Sequence, residues 1–125
     1  MDFNKIKISR FQSIASQKSH LIEEDISIRD YINDIRIGKY INEIIDVRNA
    51  LQKFGKGKEY AEAKKQLPLA TACCTIKAGH TRSKKNISEM NGFYIADIDD
   101  EVDEDLYNDL KNDKYTCIIH RSAGG

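Results

Sequence analysis

The chain has 125 residues, of which 40% are apolar and 32% charged, and its twenty Lys and Arg balance twenty Asp and Glu. This length suits one domain, and the neutral total argues against a generally basic nucleic-acid coat or an acidic disordered tail. No apolar run approaches the roughly 20 residues that span a bilayer. Residues 1–5 lack the apolar region of a signal peptide. We therefore expect a cytoplasmic protein with no membrane partner.

The three cysteines, Cys73, Cys74 and Cys117, all lie in apolar stretches. Their spacing does not match the four ligands of a tetrahedral zinc site. Because a free cysteine behaves mainly as a small buried hydrophobe, we expect all three to be reduced residues of the core.

Hydrophobic periodicity predicts the elements in chain order. Alternation over residues 5–11 predicts a first strand, and Ser27 is the expected N-cap of a helix that ends at Gly38. Helical spacing predicts further helices over 39–54 and 58–67, the second of which Pro68 stops. The remaining prediction is a strand over 69–78, a loop over 79–91, a strand over 93–99, a helix over 101–113, a strand over 115–120 and a turn over 121–125.

This order predicts an α+β domain in which helices pack on a small mixed sheet containing a parallel βαβ unit. The strand, helix and strand between residues 93 and 120 favour a parallel pair with a right-handed crossover. Ligand sites of open α/β sheets gather at the carboxyl edge of such strands. We therefore expect Asp97 and Asp99, at the end of one strand, to face the same cleft as residues 122–125 after the other.

Asp97 and Asp99 are the strongest candidates for chemistry. Their spacing points both carboxylates to one side of a strand, and a hard cation such as Mg²⁺ or Mn²⁺ relieves the repulsion between them. The neighbouring turn, from Ser122 through Gly124 and Gly125, could offer backbone N–H groups and a hydroxyl to substrate phosphates. His120, at the end of its strand, is a candidate nucleotide contact.

Two other interpretations of these acidic residues remain open. Acids over 100–105 fit the start of a helix, where carboxylates act as caps and are favoured by the helix dipole. An Asp-x-Asp that follows a strand also occurs in nucleotide-sugar transferases, and three residues do not distinguish the two activities.

The charges are unevenly distributed although their sum is zero. Residues 53–85 carry nine Lys or Arg and two Glu, whereas residues 89–113 carry ten acids and one Lys. A basic half beside an acidic, metal-binding half suits a polyanion that is held along its backbone. We expect Arg82, Lys84 and Lys85 to contact nucleic acid, while the lysines over 58–65 fit a solvated helix face equally well.

The order of several landmarks resembles the VirE N-terminal domain family, a branch of the archaeo-eukaryotic primase (primase-polymerase) superfamily found beside helicase modules in bacterial mobile elements. The resemblance spans most of the chain and depends on the order and spacing of short segments, each of which is weakly specific alone. These segments are Ile35-Arg36-Ile37-Gly38, Val47-Arg48, Lys64-Lys65-Gln66-Leu67-Pro68, Gly92-Phe93-Tyr94-Ile95-Ala96-Asp97-Ile98-Asp99-Asp100 and Arg121-Ser122-Ala123-Gly124-Gly125.

The resemblance implies a template-directed nucleotidyltransferase for DNA replication. Asp97 and Asp99 match the metal-binding Asp-x-Asp, which holds two divalent ions for attack of a 3′-hydroxyl on a nucleoside triphosphate. Ser122 and the glycines match the start of a second motif that contacts the triphosphate, and the implied partners are a single-stranded DNA template and a helicase module.

The chain departs from the family pattern at its end. The basic residue of the second motif and a third, acidic motif would follow Gly125, and the turn reads Ser-Ala-Gly-Gly rather than Ser-x-Ser-Gly. We expect residues 1–125 to be a single primase-polymerase-like domain that is truncated or degenerate, with little or no polymerase activity. The alternative is a non-catalytic module that binds nucleic acid or a replication partner.

Overall fold

The computed structural model describes residues 1–13, 22–98 and 101–124. It shows a mixed α and β domain with four helices and two small antiparallel sheets in these ranges. The helices are α1 (Ile28–Arg36), α2 (Ile41–Phe54), α3 (Lys58–Lys65) and α4 (Glu104–Asn112). The strands are β1 (Lys7–Phe11), β2 (Ile22–Ser27), β3 (Leu69–Ala70), β4 (Cys74–Ile76) and β5 (Ile87–Met90). Within the described ranges, no helix is both long and apolar enough to cross a bilayer.

Strand β1 is the centre of the larger sheet, whose order is β2-β1-β3 with both neighbours antiparallel. The predicted alternation is confirmed at Ile8, which is buried, but the opposite face is covered as well. Ser9 is fully buried on that face. Its hydroxyl satisfies its hydrogen bonds inside the protein: it donates to Asp25 Oδ1 at 2.5 Å and accepts from the Ile76 N–H at 2.8 Å. This hydroxyl joins the larger sheet to the smaller one, β4-β5.

Two apolar clusters form the core on either side of β1. Ile8, Ile26 and Ile28 are the buried members of the first cluster, which we call the isoleucine cluster; its partly buried neighbours are Phe3, Ile6, Tyr31, Ile32, Ala70 and Ile118. The second cluster joins Phe11 to Cys74 and Ile76 of the β4-β5 sheet. Burial of these side chains supplies most of the driving force for folding.

The start of α1 follows the sequence prediction. Ser27 is the N-cap: its hydroxyl accepts from the Asp30 N–H at 3.0 Å, and the Asp30 carboxylate accepts from the Ser27 N–H at 3.3 Å. These two bonds form a capping box that satisfies backbone donors at the helix start. Gly38, with a φ of 65°, follows the helix in a left-handed conformation that suits glycine.

Arg10 and Asp34 form an ion pair at 2.5 Å that joins β1 to α1, and Lys39 adds a second bond to the same carboxylate at 3.1 Å. Both partners of the first pair are largely covered, with side-chain exposures of 13% and 17%. Arg10 therefore faces the protein rather than solvent.

Several predicted elements differ from the structure. The single strand expected over 69–78 is broken by a turn in which the Cys74 N–H donates to the Thr71 carbonyl at 3.2 Å. The region expected to be a loop over 79–91 contains a short 3-10 turn, Lys84–Asn86, and strand β5. Strand β2 lies in a stretch for which periodicity predicted no element.

The parallel βαβ unit is not shown by the described residues. Residues 93–98 and 115–120 form no strand there, although α4 lies between them as expected. Tyr94 is 92% exposed and Tyr115 is 78% exposed, so neither side chain is packed against another element. Strand propensity reflects packing against a pleated neighbour, and without that neighbour apolar alternation does not produce a ladder.

Candidate functional site

Asp97 lies in the exposed stretch 94–98 and forms no hydrogen bond or ion pair with any described residue. Its oxygens are the hard donors that Mg²⁺ and Mn²⁺ take, so the side chain fits one ligand position. Asp99, the second predicted ligand, lies outside the described residues. Over residues 1–13, 22–98 and 101–124, no three His, Cys, Asp or Glu side chains are grouped to hold a metal.

The acids that follow belong to the start of α4. Asp103 is the N-cap and its carboxylate accepts from the Leu106 N–H at 2.8 Å, while Glu104 and Asp105 occupy the first turn. The capping interpretation is confirmed for these three residues. Glu101 lies before the N-cap and outside α4, and Asp100 lies outside the described residues, so Asp97 and Glu101 are the described acids of this region that the helix does not explain.

His120 is held in place by α1. Its Nε2 lies 3.3 Å from the Tyr31 hydroxyl, and its Nδ1 lies 3.0 Å from the Arg121 carbonyl oxygen. Because a carbonyl oxygen only accepts, Nδ1 donates its proton to the Arg121 carbonyl, which leaves Nε2 directed at the Tyr31 hydroxyl. Burial raises the pKa of Tyr31, which keeps that hydroxyl available as a donor.

The turn that follows His120 lies against α2 and α3. The Arg48 Nε–H donates to the Ala123 carbonyl oxygen at 3.4 Å. Gly124 packs on Tyr60 so closely that an added Cβ would lie 2.5 Å from the tyrosine hydroxyl oxygen. Ser122 is exposed at the same turn, and Gly125 lies outside the described residues. Four contacts, by Ile118, His120, Ala123 and Gly124, thus fix the path of the segment over 118–124.

The segment over residues 81–86, which we call the basic loop, is held by packing and hydrogen bonds of its own side chains. Arg82 is half-buried, with its guanidinium 5.4 Å from the centroid of the Phe11 ring. Asn86 is buried and donates to the Thr81 carbonyl at 2.8 Å, which holds the 3-10 turn. Lys84 and Lys85 are exposed on that turn. Of the three predicted nucleic-acid contacts, Arg82 therefore has a packing role, whereas the two lysines face solvent.

The predicted site residues fall into three groups that no described hydrogen bond or ion pair connects: Asp97, the segment with His120 and Ser122 to Gly124, and the basic loop. Sequence reasoning missed Tyr31, Arg48 and Tyr60 as neighbours of the second group. Each lies on a helix that periodicity located correctly, but no local spacing indicates which distant backbone a helix side chain meets.

The cysteine prediction is wrong for one of the three residues. Cys74 is buried and Cys73 is half-buried, but Cys117 is exposed. The reason is the missing ladder around residues 115–120, which leaves the Cys117 side chain uncovered.

The chain matches no family model, no curated protein and no solved structure in comparisons with known proteins.

Proposed function

We propose that this chain is the N-terminal half of a primase-polymerase-like nucleotidyltransferase module of the VirE N-terminal domain type, which acts in the DNA replication of a mobile element. In the reaction, a primer 3′-hydroxyl attacks the α-phosphate of a nucleoside triphosphate and pyrophosphate leaves. Asp97 and Asp99 would hold Mg²⁺ or Mn²⁺, which activates the hydroxyl and stabilises the charge on the leaving group.

One observation carries the proposal: both segments that bear site residues are anchored on the same apolar cluster. Phe93 lies against Phe3, with ring centroids 6.4 Å apart, and Phe3 packs on the isoleucine cluster. Ile118 packs on that cluster directly. This common anchor supports one shared cleft, because it holds the segments before and after α4 on the same apolar cluster, where Asp97 and the turn after His120 would face each other.

The charges around the site residues are compatible with this role. No described cation neutralises Asp97, so its carboxylate is available to a metal ion. The turn at Ser122 to Gly124 lies against helices that carry basic side chains, which suits a polyphosphate.

The test is paramagnetic broadening of the ¹⁵N-labelled chain by Mn²⁺, with and without a deoxynucleoside triphosphate. We expect broadening centred on Asp97 and Asp99 that becomes stronger with nucleotide and extends to residues 120–125. The Asp97→Asn/Asp99→Asn variant should lose this pattern. A matched control, Asp105→Asn/Asp109→Asn, removes two exposed carboxylates of α4 and should keep it. Broadening that is spread evenly over the acids of α4 and indifferent to nucleotide would contradict the proposal.

A non-catalytic module that binds nucleic acid is the second candidate, and the exposure of Lys84 and Lys85 on the 3-10 turn favours it. Each phosphate contact with a single strand contributes about 0.7 to the slope of log affinity against log salt concentration. The Lys84→Ala/Lys85→Ala variant should therefore lower that slope by about 1.4 for a single-stranded oligonucleotide.

The matched control for this test is Lys56→Ala/Lys58→Ala, which removes two exposed lysines near the start of α3. DNA affinity that depends on Lys84 and Lys85 but not on Asp97 and Asp99, with no metal-dependent nucleotide binding, would favour the binding module over the nucleotidyltransferase.

A further inference from the structure

Two side chains of α2 and α3 contact the turn at residues 122–124, and a third lies beside one of them. Arg48 donates to the Ala123 carbonyl, Tyr60 meets Gly124 with its hydroxyl, and the Lys64 ammonium lies 5.4 Å from the centroid of the Tyr60 ring. None of the three is a candidate site residue of the sequence analysis, although Arg48 and Lys64 belong to segments that carry the family resemblance. Arg48 and Tyr60 thus place a positive charge and a hydroxyl at the turn, and Lys64 places a second positive charge beside Tyr60.

The guanidinium of Arg48 has hydrogen-bond donors available for a ligand. Only its Nε–H is directed to the Ala123 carbonyl, and the described residues provide no partner for the four N–H bonds of its two terminal nitrogens. The side chain is exposed. A guanidinium fork with free terminal donors matches two oxygens of a phosphate group, whereas the bond through Nε fixes the direction in which the fork points.

Lys64, like Arg48, has charge available for a ligand, whereas its neighbour Lys65 does not. Lys65 is paired with Glu62 at 2.7 Å on the outer surface of α3, whereas Lys64 is half-buried over Tyr60 and pairs with no described carboxylate. No described carboxylate therefore compensates its charge, and the ammonium lies on the same face of α3 as Tyr60, which meets Gly124.

We infer that Arg48, Tyr60 and Lys64 form, with the turn Ser122–Gly124, a subsite for the polyphosphate of the nucleotide. The inference rests on the proposed function for the identity of the ligand as a nucleoside triphosphate. The geometry of the subsite involves neither Asp97 nor a metal ion, so the two can be tested separately.

The experiment measures binding of inorganic triphosphate to the whole chain by calorimetry, with a chelator present to remove divalent metal. We expect Arg48→Ala to weaken binding about tenfold or more, because a charge-assisted pair of hydrogen bonds is lost. Arg48→Lys should recover part of the affinity, since it restores the charge but not the fork. Lys64→Ala should also weaken binding, whereas Lys65→Ala is the matched control and should leave it within about twofold.

Circular dichroism and the ¹⁵N spectrum of each variant report whether the fold is retained, which is expected because Arg48 is exposed. No binding by the wild-type chain, or equal binding by wild type and Arg48→Ala, would overturn the inference. Triphosphate binding that requires Arg48 and Lys64 supports it even when Mn²⁺ broadening fails to centre on Asp97, and that combination would reject the metal site alone.

Discussion

The buried hydroxyl of Ser9 should be among the most sensitive single groups in the fold. It is fully buried, donates to Asp25 Oδ1 at 2.5 Å and accepts from the Ile76 N–H at 2.8 Å. Ser9→Ala keeps the Cβ and removes only the oxygen. The Ile76 N–H then loses its acceptor in an interior position that water does not reach.

The size of the effect follows from these contacts. An orphaned buried donor costs about 1–3 kcal/mol of the free energy of unfolding. The loss at Asp25 adds less, because that residue is exposed and water can replace the hydroxyl on its carboxylate. We therefore expect Ser9→Ala to destabilise the protein by about 2 kcal/mol.

Urea unfolding followed by circular dichroism measures this change. The midpoint should fall while the slope with denaturant stays unchanged, which identifies a change in stability rather than in the surface exposed on unfolding. Ser88→Ala is the control, since Ser88 is exposed on β5 and should change stability by no more than about 0.5 kcal/mol. A Ser9→Ala variant as stable as the control would refute the argument that this hydroxyl joins the two sheets.

Two further predictions concern reactivity and pH. Cys117 should react with a thiol reagent at least about tenfold faster than Cys74, because Cys117 is exposed while burial raises the pKa of the Cys74 thiol; equal rates in the folded protein would contradict the structure. Hydrogen bonds from Ser27 hold the pKa of Asp30 below its ordinary value, so its contribution to stability is complete above the pKa of the unfolded chain and is lost as pH falls through the folded value. Ser27→Ala should cost about 1 kcal/mol at neutral pH through the lost N-cap and raise the pKa of Asp30, as followed by NMR titration; an unchanged pKa would refute the capping argument.

Local signals in the sequence determine the helices well and the sheets poorly. The cap at Ser27 and the glycine at Gly38 define α1 because both act within a few residues of the backbone that they cap. Strand β5 follows a polar loop and pairs with β4 across the 3-10 turn, a pairing that no periodicity in the stretch itself indicates. Ser9 shows the same limit, since its burial depends on a backbone N–H 67 residues further along the chain.

The residues of the candidate site also differ in whether local sequence signals reveal them. A carboxylate in an apolar segment, such as Asp97, is visible as an anomaly in the sequence, because an unpaired charge is costly in a buried strand. Arg48 and Tyr60 carry no such anomaly, since both residue types are ordinary on helix surfaces. Their proximity to the turn at residues 122–124 is a tertiary property that only the structure provides.

The contact between Gly124 and Tyr60 offers a direct check of how the turn is seated. Gly124→Ala would place a methyl group 2.5 Å from the tyrosine hydroxyl oxygen but 3.6 Å from the ring carbon that bears it. The first distance is a clash and the second is ordinary van der Waals contact. We therefore expect Gly124→Ala to lift the turn and weaken the bond from Arg48 to the Ala123 carbonyl, a loss of about 1 kcal/mol in local stability.

Tyr60→Phe removes the clashing atom and keeps the ring, so Gly124→Ala should be nearly neutral when both changes are combined. The Arg48 Nε–H resonance reports the outcome: it should shift in the Gly124→Ala variant and return toward its original position in the double variant. The difference between the two backgrounds isolates the pairwise interaction. An equal shift in both backgrounds would mean that the turn does not rest on Tyr60, and the subsite built from α2 and α3 would lose its geometric basis.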